Sequence, residues 1–282
     1  MPDLIPLEPI EYLVIGHLAH DLTPDGPRLG GTAAYAALTA RALGLRAGIL
    51  TAFGPETSLD LLDGIPVAAA QSARSTTFEN IQTADGRRQI IHHRASPLDL
   101  NLVPEAWRRT PILHLGPIAQ EVASVLPPGI SPALLGLTPQ GWLRGWDAAG
   151  HVSPCAWPGA EEAARQAGAV VISLEDVGGD EEQVEVLAHA CRVLAVTEAA
   201  AGCRLYWNGD LRRFHAPKVR EIDPTGSGDI FAAAFFVRLY ATRDPWEAAR
   251  FANQVAAISV TRPGLEGIPT PEEAQASLVE VL

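Results

Sequence analysis

A seven-residue stretch, DPTGSGD at 223–229, holds residue types that could bind a phosphate and act on it. Gly226 and Gly228 can adopt backbone conformations closed to other residues, and they leave no side chain between the main chain and a ligand. The apolar run that follows predicts a helix over 228–241. Amides at a helix start point outward unpaired and carry a partial positive charge. The amides of Gly226, Ser227 and Gly228 therefore predict an anion hole that needs no lysine.

Asp229 lies at the same end of the predicted helix, where the partial positive charge favours an ionised carboxylate. Phosphoryl transfer to an alcohol requires this pairing, because the hole stabilises charge on the transferred group while the carboxylate accepts the hydroxyl proton. The competing interpretation is a glycine-rich turn whose aspartate only caps the helix. The motif alone leaves both interpretations open.

Composition and charge limit the partners of such a site. The chain has 282 residues, of which 47% are hydrophobic and 19% charged, as in ordinary globular proteins, and its formal net charge is −12. This acidic chain lacks the dense basic face that nucleic acids require. The N-terminal stretch has early acids and prolines, so we expect no signal peptide, no membrane anchor and a cytoplasmic location. Cys155, Cys191 and Cys203 are predicted to be free thiols.

Other common ligand sites are not predicted. No GK[ST] occurs and the only lysine is Lys218, which excludes a Walker-type phosphate loop. No GxGxxG follows the first predicted strand, which argues against a dinucleotide-binding oxidoreductase. His92 and His93 are adjacent on a predicted strand and would face opposite sides, so we assign them no metal role.

Alternating strand and helix patterns predict how DPTGSGD is positioned. Apolar runs predict buried strands at 10–16, 47–53, 111–116, 133–137, 168–174 and 191–197, with a hairpin at 203–215. Helical patterns fall at 31–44, 159–167, 180–190, 228–241, 245–261 and 271–281, the last with a capping box of Thr270 and Glu273. These predict one α/β domain over 1–282, with a central, mostly parallel sheet flanked by helices. Open sheets of this kind bind ligands at the carboxyl ends of their strands.

Residues 74–95 follow a different pattern. They alternate between polar and apolar and contain DG, which predicts a two-stranded hairpin outside the main sheet. Residues 17–30 form a connection longer than a strand–helix link needs. Together the two segments are predicted to form a small β lid.

Three segments resemble the ribokinase-like (PfkB) carbohydrate kinases, in the family's order and over nearly the whole chain. DPTGSGD resembles the family's D-T-x-G-A-G-D motif, and VIGHLAHD with GGTAAYAALTARALG resembles its N-terminal diglycine motif. FANQVAAISVTRPGLEGIPTPEE is similar to the segment that lines the family's adenine pocket. The resemblance implies a ribokinase-like fold and ATP-dependent phosphorylation of a hydroxyl on a small sugar or polyol, with Mg²⁺ as cofactor.

The resemblance also implies a role for individual residues. Asp229 corresponds to the catalytic base, with Gly226, Ser227 and Gly228 as the anion hole. Tyr35 stands where ribokinases often have asparagine, and Trp142 is either a pocket wall or peripheral packing. The acceptor-binding positions are Asp21, Gly30, Gly31, Tyr35, Thr77, Glu79, Gln140 and Arg144.

The nucleotide and metal positions depart from the family pattern. Thr197 and Gly202 lie in VTEAAAG, which resembles a T-x-G-x-x-G nucleotide loop with Ala199 in place of the first glycine; Asn253 and Gly264 match positions near the adenine. The usual N-x-x-E magnesium motif is missing, and Ser173 with Asp176 has the same spacing, with Glu175 as a neighbour. Asp223 corresponds to a monovalent-cation position. Pro224 replaces a common threonine beside it, which leaves potassium dependence open.

The acceptor and the assembly stay open at this level. Tyr35 and the Q-G-x-x-R loop resemble the branch that includes archaeal myo-inositol kinases. A nucleoside kinase of the same family and a catalytically silent sugar-binding relative are the alternatives. Dimers form through exposed lid strands in relatives, and unpaired strand edges invite such pairing here.

Overall fold

The computed structural model describes residues 8–83 and 86–278. The strands are β1 (Tyr12–Ile15), β2 (Ala19–Thr23), β3 (Gly26–Gly30), β4 (Ala47–Phe53), β5 (Val67–Gln71), β6 (Thr76–Thr83), β7 (Gly86–His93), β8 (Ile112–Leu115), β9 (Leu134–Leu137), β10 (Arg144–Trp146), β11 (Val152–Pro154), β12 (Ala169–Ser173), β13 (Val193–Thr197), β14 (Cys203–Trp207) and β15 (Asp210–Phe214). The α-helices are α1 (Thr32–Ala42), α2 (Ala160–Gln166), α3 (Glu181–Ala190), α4 (Ser227–Thr242), α5 (Pro245–Ser259) and α6 (Pro271–Ala276).

The main layer is a nine-stranded sheet in the order β15-β14-β13-β12-β9-β8-β1-β4-β5. Neighbours from β13 to β5 run parallel, and only β14 and β15 add antiparallel pairs at one edge. Strand β1 is YLVI and is buried at all four positions, as expected of a parallel strand covered on both faces. The predicted α/β class with a mostly parallel sheet is confirmed.

Helices cover both faces of this sheet. Tyr12 and Val14 of β1 pack into a core with α1, α4 and α5, while Leu13 and Ile15 pack into a second core with α2 and α3. Helix α4 buries an unbroken run from Ile230 to Phe236, so it has no solvated face over that span. This packing fixes the start of α4 beside the start of α1.

A second sheet has the order β3-β2-β6-β7. Strands β2 and β3 form an antiparallel hairpin, β2 pairs in parallel with β6, and β6 pairs antiparallel with β7. The segments predicted as a lid therefore share one sheet, although the predicted DG turn includes Asp85, which lies outside the described residues. That this sheet acts as a lid stays a prediction.

Four details of the sequence-based elements were wrong or missing. Residues 17–30 hold the two strands β2 and β3. Strand β5 was missed because alanine has low strand propensity, and the short pair β10–β11 carries no periodic pattern. Helix α6 ends at Ala276, and the rest of the predicted helix to 281 reaches residues outside the described part. Its capping box at Thr270 is confirmed.

Two further observations bear on the sequence predictions. Within the described residues, no helix is long and apolar enough to cross a bilayer. Residues 1–7 of the N-terminal stretch lie outside the described part. Cys155, Cys191 and Cys203 are free thiols, as predicted.

Candidate active site

A cavity of about 1170 Å³ lies between the carboxyl ends of the main-sheet strands and the second sheet. Asp21 and Phe78 line it from the second sheet, and Thr138, Ser173 and Thr197 line it where main-sheet strands end. The start of α4 completes the wall. This is the edge at which open α/β sheets bind ligands.

The DPTGSGD loop forms the turn into α4. Gly226 is the residue before the helix and has φ 78°, a left-handed conformation that favours glycine. A Cβ atom at Gly226 would collide with the Tyr35 ring, whereas a Cβ atom at Gly228 would meet nothing within 4 Å. Gly226, Ser227 and Gly228 all line the cavity. The Ser227 N–H donates to the Pro224 carbonyl at 3.1 Å, so the amides of Gly226 and Gly228 are the better candidates to bind an anion here.

Asp229 lies in the first turn of α4 and lines the cavity beside these amides. Burial raises the pKa of Asp229 to about 6, and the nearby carboxylates of Asp176 and Asp21 also raise it; the Thr32 hydroxyl and Arg144 act in the opposite direction. The helix end predicts an ionised carboxylate, whereas burial shifts the pKa in the opposite direction. The carboxylate is still mostly ionised at neutral pH, with a margin of about one unit.

Thr32 is a site residue that sequence reasoning missed. Its hydroxyl donates a hydrogen bond to Asp229 Oδ1 at 2.6 Å, although the two residues lie 197 positions apart. Thr32 is the first residue of α1, directly after Gly30-Gly31, and it is buried. The sequence feature that could have identified Thr32 as a site residue is its hydroxyl directly after a diglycine at a predicted helix start.

We expect Thr32→Val to move the pH profile of activity. Asp229 must be ionised to accept a proton, so wild-type kcat should rise with pH through about 6 and level off above it. Loss of the Thr32 hydroxyl removes a donor to the ionised form, so the pKa rises further and the acidic limb moves to higher pH. Steady-state rates from pH 5 to 9 measure the shift, and Thr32→Ser should restore it. An unmoved limb would contradict the assignment.

Most predicted acceptor residues meet at the cavity. Asp21, Gly31, Tyr35, Gln140 and Arg144 line it. Gly30 does not line it but touches Asp21, because a Cβ atom there would collide with that carboxylate. Burial, and then the carboxylates of Asp21, Asp229 and Asp223, raise the pKa of Tyr35, so its hydroxyl stays protonated.

Thr77 and Glu79 do not line the cavity, whereas Phe78 between them does. The Thr77 hydroxyl donates to the Ser75 carbonyl, and Glu79 pairs with His92 at 2.8 Å. Successive side chains on a strand face opposite sides, so the predicted pair belongs to the other face of β6. Phe78 is packed beneath the Arg144 guanidinium, 5.7 Å from its ring centroid.

The predicted nucleotide positions divide in a similar way. Thr197, Gly202 and Asn253 line the cavity, and the Asn253 amide donates to the His215 carbonyl at 2.8 Å. Gly264 does not line the cavity; its N–H donates to Asp223 Oδ2 at 3.0 Å. This end of the cavity is largely apolar, and Lys218, which sequence reasoning did not place there, also lines it.

Asp223 ties two loops together. Its Oδ1 accepts from the Thr225 N–H at 2.9 Å, and its Oδ2 accepts from the Gly264 N–H. Burial raises the pKa of Asp223, but these hydrogen bonds outweigh burial and leave the pKa below its ordinary value. The carboxylate therefore holds the anion-hole loop against the loop that starts at Pro263, and it does not line the cavity.

Ser173, Glu175 and Asp176 line the cavity at the end of β12. Asp176 accepts hydrogen bonds from the Ser173 N–H at 2.9 Å and from the Gln140 side chain at 3.1 Å. Burial raises its pKa. No group of three or more His, Cys, Asp or Glu side chains in residues 8–83 and 86–278 could hold a metal by itself. A cation here would need ligand oxygens from its substrate as well.

Amides at a helix start, a carboxylate beside them and a cavity lined by both polar and apolar residues are the features expected of a site for phosphoryl transfer to a small molecule. Known proteins agree. The family model for the pfkB family of carbohydrate kinases matches residues 156–272. A probable fructokinase-5 of Arabidopsis thaliana is 26% identical over 87% of this chain and 86% of its own. An inositol 3-kinase of Oryza sativa subsp. japonica is 38% identical over 31% of this chain and 21% of its own.

A solved structure shares the fold across the chain. It is a pyrophosphate-dependent kinase in the ribokinase family, complexed with a pyrophosphate analog and myo-inositol. It superposes with a TM-score of 0.79 at 21% identity and covers 94% of this chain and 99% of its own. Residues 156–272 of the present chain match the pfkB family of carbohydrate kinases, and the chain as a whole has the ribokinase-like α/β fold.

Proposed function

We propose that this protein is an ATP-dependent kinase that phosphorylates a hydroxyl of a small sugar or polyol, with Asp229 as general base. The observation that carries the proposal is the Asp229 carboxylate, which accepts a hydrogen bond from Thr32 and lies at the helix start beside Gly226 and Gly228, both of which line the cavity. The acceptor hydroxyl donates its proton to Asp229 as its oxygen bonds to the γ-phosphorus, and ADP leaves.

The acceptor half of the cavity suits a polyhydroxylated molecule. Asp21 offers carboxylate oxygens to hydroxyl groups, Arg144 and Gln140 offer N–H donors, and Phe78 offers an apolar wall. Such a mixture of few polar groups on an apolar surface fixes the orientation of a small ligand. Tyr35 in place of asparagine, together with Gln140 and Arg144, favours a cyclitol such as inositol over ribose within this class.

The donor half favours a nucleotide. Its lining includes the apolar residues Val219, Ala256, Ala257 and Val260, against which a purine could pack. Lys218 is a cation on this side of the cavity, able to pair with phosphate oxygens.

Magnesium fits the oxygen donors at the end of β12. Mg²⁺ takes one or two carboxylates and completes its shell with water and phosphates, and Glu175 and Asp176 both line the cavity. When bound, the ion would neutralise charge on the transferred phosphoryl group. Asp223 suits a role in holding the loop, since it does not line the cavity and its oxygens accept the N–H groups of Thr225 and Gly264. We therefore expect potassium to have a small effect.

Pyrophosphate is a second candidate donor, because a full-length structural neighbour is pyrophosphate-dependent. It would need the anion hole and Lys218 but not the apolar space. Ala257→Leu separates the two donors: added bulk in the apolar half should raise KM for ATP about tenfold or more and leave pyrophosphate use unchanged.

The test is a panel of donors and acceptors with Mg²⁺, with and without K⁺. Each of ATP and pyrophosphate is combined with ribose, fructose, myo-inositol and a nucleoside, and phosphorylated product is detected by mass spectrometry. We expect product with ATP and a sugar or polyol. If calorimetry finds sugar binding while no pair gives product, the silent-binder alternative replaces the kinase. Product from the nucleoside alone would favour a nucleoside kinase.

A further inference from the structure

A buried polar chain leads from the core to the floor of the cavity. His114 on β8 is fully buried, and its Nδ1 lies 2.8 Å from the Tyr12 hydroxyl. Its Nε2 lies 2.8 Å from the hydroxyl of Thr138, which lines the cavity. The Phe236 ring packs edge-on against the imidazole at 5.0 Å between centroids. None of these three residues carries a role in the phosphoryl transfer described above.

The chain can hold its protons in only two ways. Burial lowers the pKa of His114 to about 3, so the imidazole is neutral and has one N–H donor and one acceptor nitrogen. In the first arrangement Tyr12 donates to Nδ1, and Nε2–H donates to Thr138. In the second, Thr138 donates to Nε2, and Nδ1–H donates to the Tyr12 oxygen.

Burial selects between the two arrangements. In the second, the Tyr12 hydroxyl proton needs another acceptor, and among the described residues its hydroxyl contacts only His114. Tyr12 has no exposed surface, so that proton would be buried without a partner, which costs free energy. In the first, the unassigned proton belongs to Thr138, which faces the cavity. The tautomer thus follows from the polar contacts.

Thr138 also lies near the catalytic carboxylate. A Cβ atom on Gly116 would be 3.2 Å from Thr138 Oγ1 and would collide with the Thr32 methyl group. Thr32 and Thr138 therefore flank the same glycine, and Thr32 holds Asp229. The two hydroxyls differ in where their protons go. The Thr32 hydroxyl donates its proton to Asp229. The Thr138 hydroxyl accepts from His114, so its own proton can be donated to a ligand in the cavity.

We propose that Thr138 is a specificity-determining residue, which donates a hydrogen bond to a hydroxyl oxygen of the acceptor next to the phosphorylated one. Donation to the attacking oxygen itself would withdraw electron density from the nucleophile, so the neighbouring oxygen is its partner. The site thereby selects acceptors with adjacent hydroxyls, as in sugars and cyclitols. This inference deepens the proposed kinase function and rests on it for the identity of the ligand.

The proton arrangement is tested on the free protein by ¹⁵N NMR of its imidazole nitrogens. His114→Gln, which keeps one donor and one acceptor, assigns the signal among the eight histidines. We expect a protonated Nε2 and an unprotonated Nδ1; a protonated Nδ1 would overturn the inference. This measurement needs no activity, so it stands or fails separately from the kinase function.

Ligand contact is tested by titration with myo-inositol, fructose and ribose. At least one should shift the His114 Nε2 signal in wild type and leave it unshifted in Thr138→Val. With the acceptor that is turned over, Thr138→Val should raise KM about tenfold with kcat changed less than threefold, and Thr138→Ser should restore KM. An acceptor analogue that lacks the neighbouring hydroxyl should have a KM about tenfold higher than the acceptor itself in the wild-type enzyme. In Thr138→Val, the analogue and the acceptor should have the same KM. The proposal would be overturned if removal of the neighbouring hydroxyl raised KM equally in wild type and in Thr138→Val. It would also be overturned if none of the three probes shifted the His114 Nε2 signal.

Discussion

Asp229→Asn should lower kcat by about two to four orders of magnitude while the acceptor binds with nearly unchanged affinity. The amide has the size of the carboxylate and can still accept the Thr32 hydrogen bond, but it cannot take up a proton. The loss should therefore fall on the chemical step. Steady-state kinetics at saturating donor and acceptor measure kcat, and calorimetry measures acceptor binding. Asp63→Asn is the matched control, since the same change is made at an exposed side chain away from the cavity.

The same variant should change stability in a pH-dependent way. The folded-state pKa of Asp229 is about 6 and its ordinary value is 3.8, so the folded state binds the proton more tightly. Its favourable contribution is present below pH 4 and is lost as pH rises through 6, at a cost of roughly 2–3 kcal/mol. Asp229→Asn removes this cost. Its free energy of unfolding relative to wild type should be higher at pH 8 than at pH 4 by that amount in urea titrations.

Two results would argue against this assignment. If Asp229→Asn kept wild-type kcat at pH 8, another group would be the base. If the stability of Asp229→Asn relative to wild type did not depend on pH, the pKa of Asp229 would not be raised in the folded protein. The predicted fall of kcat below about pH 6 would then have no basis. Asp63→Asn should show neither effect, because its side chain is exposed to solvent.

The fold could be predicted from the sequence because its signals are local. The run YLVI in β1 is apolar at every position, and in the structure every position is covered. The glycines of DPTGSGD predict a turn, and a main chain that a ligand can approach closely, at the place where α4 begins. In both cases a few neighbouring residues carry the whole physical reason. The same holds for the capping box at Thr270.

The missed site residues depend on distant parts of the chain. Thr32 and Asp229 meet across 197 positions, and nothing in either segment alone specifies that contact. Thr138 is the residue after β9, and its proposed role depends on the hydrogen bond with His114 on the neighbouring strand, which the sequence around Thr138 does not reveal. On β6 the prediction chose the wrong face of the strand: Phe78 lines the cavity, and Thr77 and Glu79 do not. Which of two alternating sets of side chains faces the cavity cannot be decided from the sequence unless one face is clearly buried.

The electrostatics of the site also needed the structure. From the sequence, the position of Asp229 at the helix end predicted an ionised carboxylate. In the structure, burial and two neighbouring carboxylates raise the pKa of Asp229 to about 6. A base with a pKa just below the working pH is ionised and still has useful affinity for a proton. Packing therefore gives Asp229 the raised pKa that the proposed general base needs.

Gly228→Ala should abolish most activity and leave the fold intact. Gly228 lies in the first turn of α4, and a Cβ atom there would meet no protein atom within 4 Å. Alanine is favoured over glycine in a helix by about 0.5–1 kcal/mol, so stability should stay level or rise. The added methyl group occupies space through which phosphate reaches the amides. We expect kcat/KM to fall about 100-fold or more, as when a donor to a developing charge is lost.

Gly226→Ala is the contrasting variant and should damage the fold itself. Its φ of 78° costs alanine about 1–2 kcal/mol, and the new Cβ atom would collide with the Tyr35 ring. Gly64→Ala isolates the first cost, because Gly64 has φ 79° and open space around it. Urea titrations should rank stability as Gly228→Ala highest, Gly64→Ala lower and Gly226→Ala lowest, while only Gly64→Ala keeps wild-type kcat/KM. Full activity in Gly228→Ala would mean that phosphate does not approach these amides, and DPTGSGD would then be only the turn that starts α4.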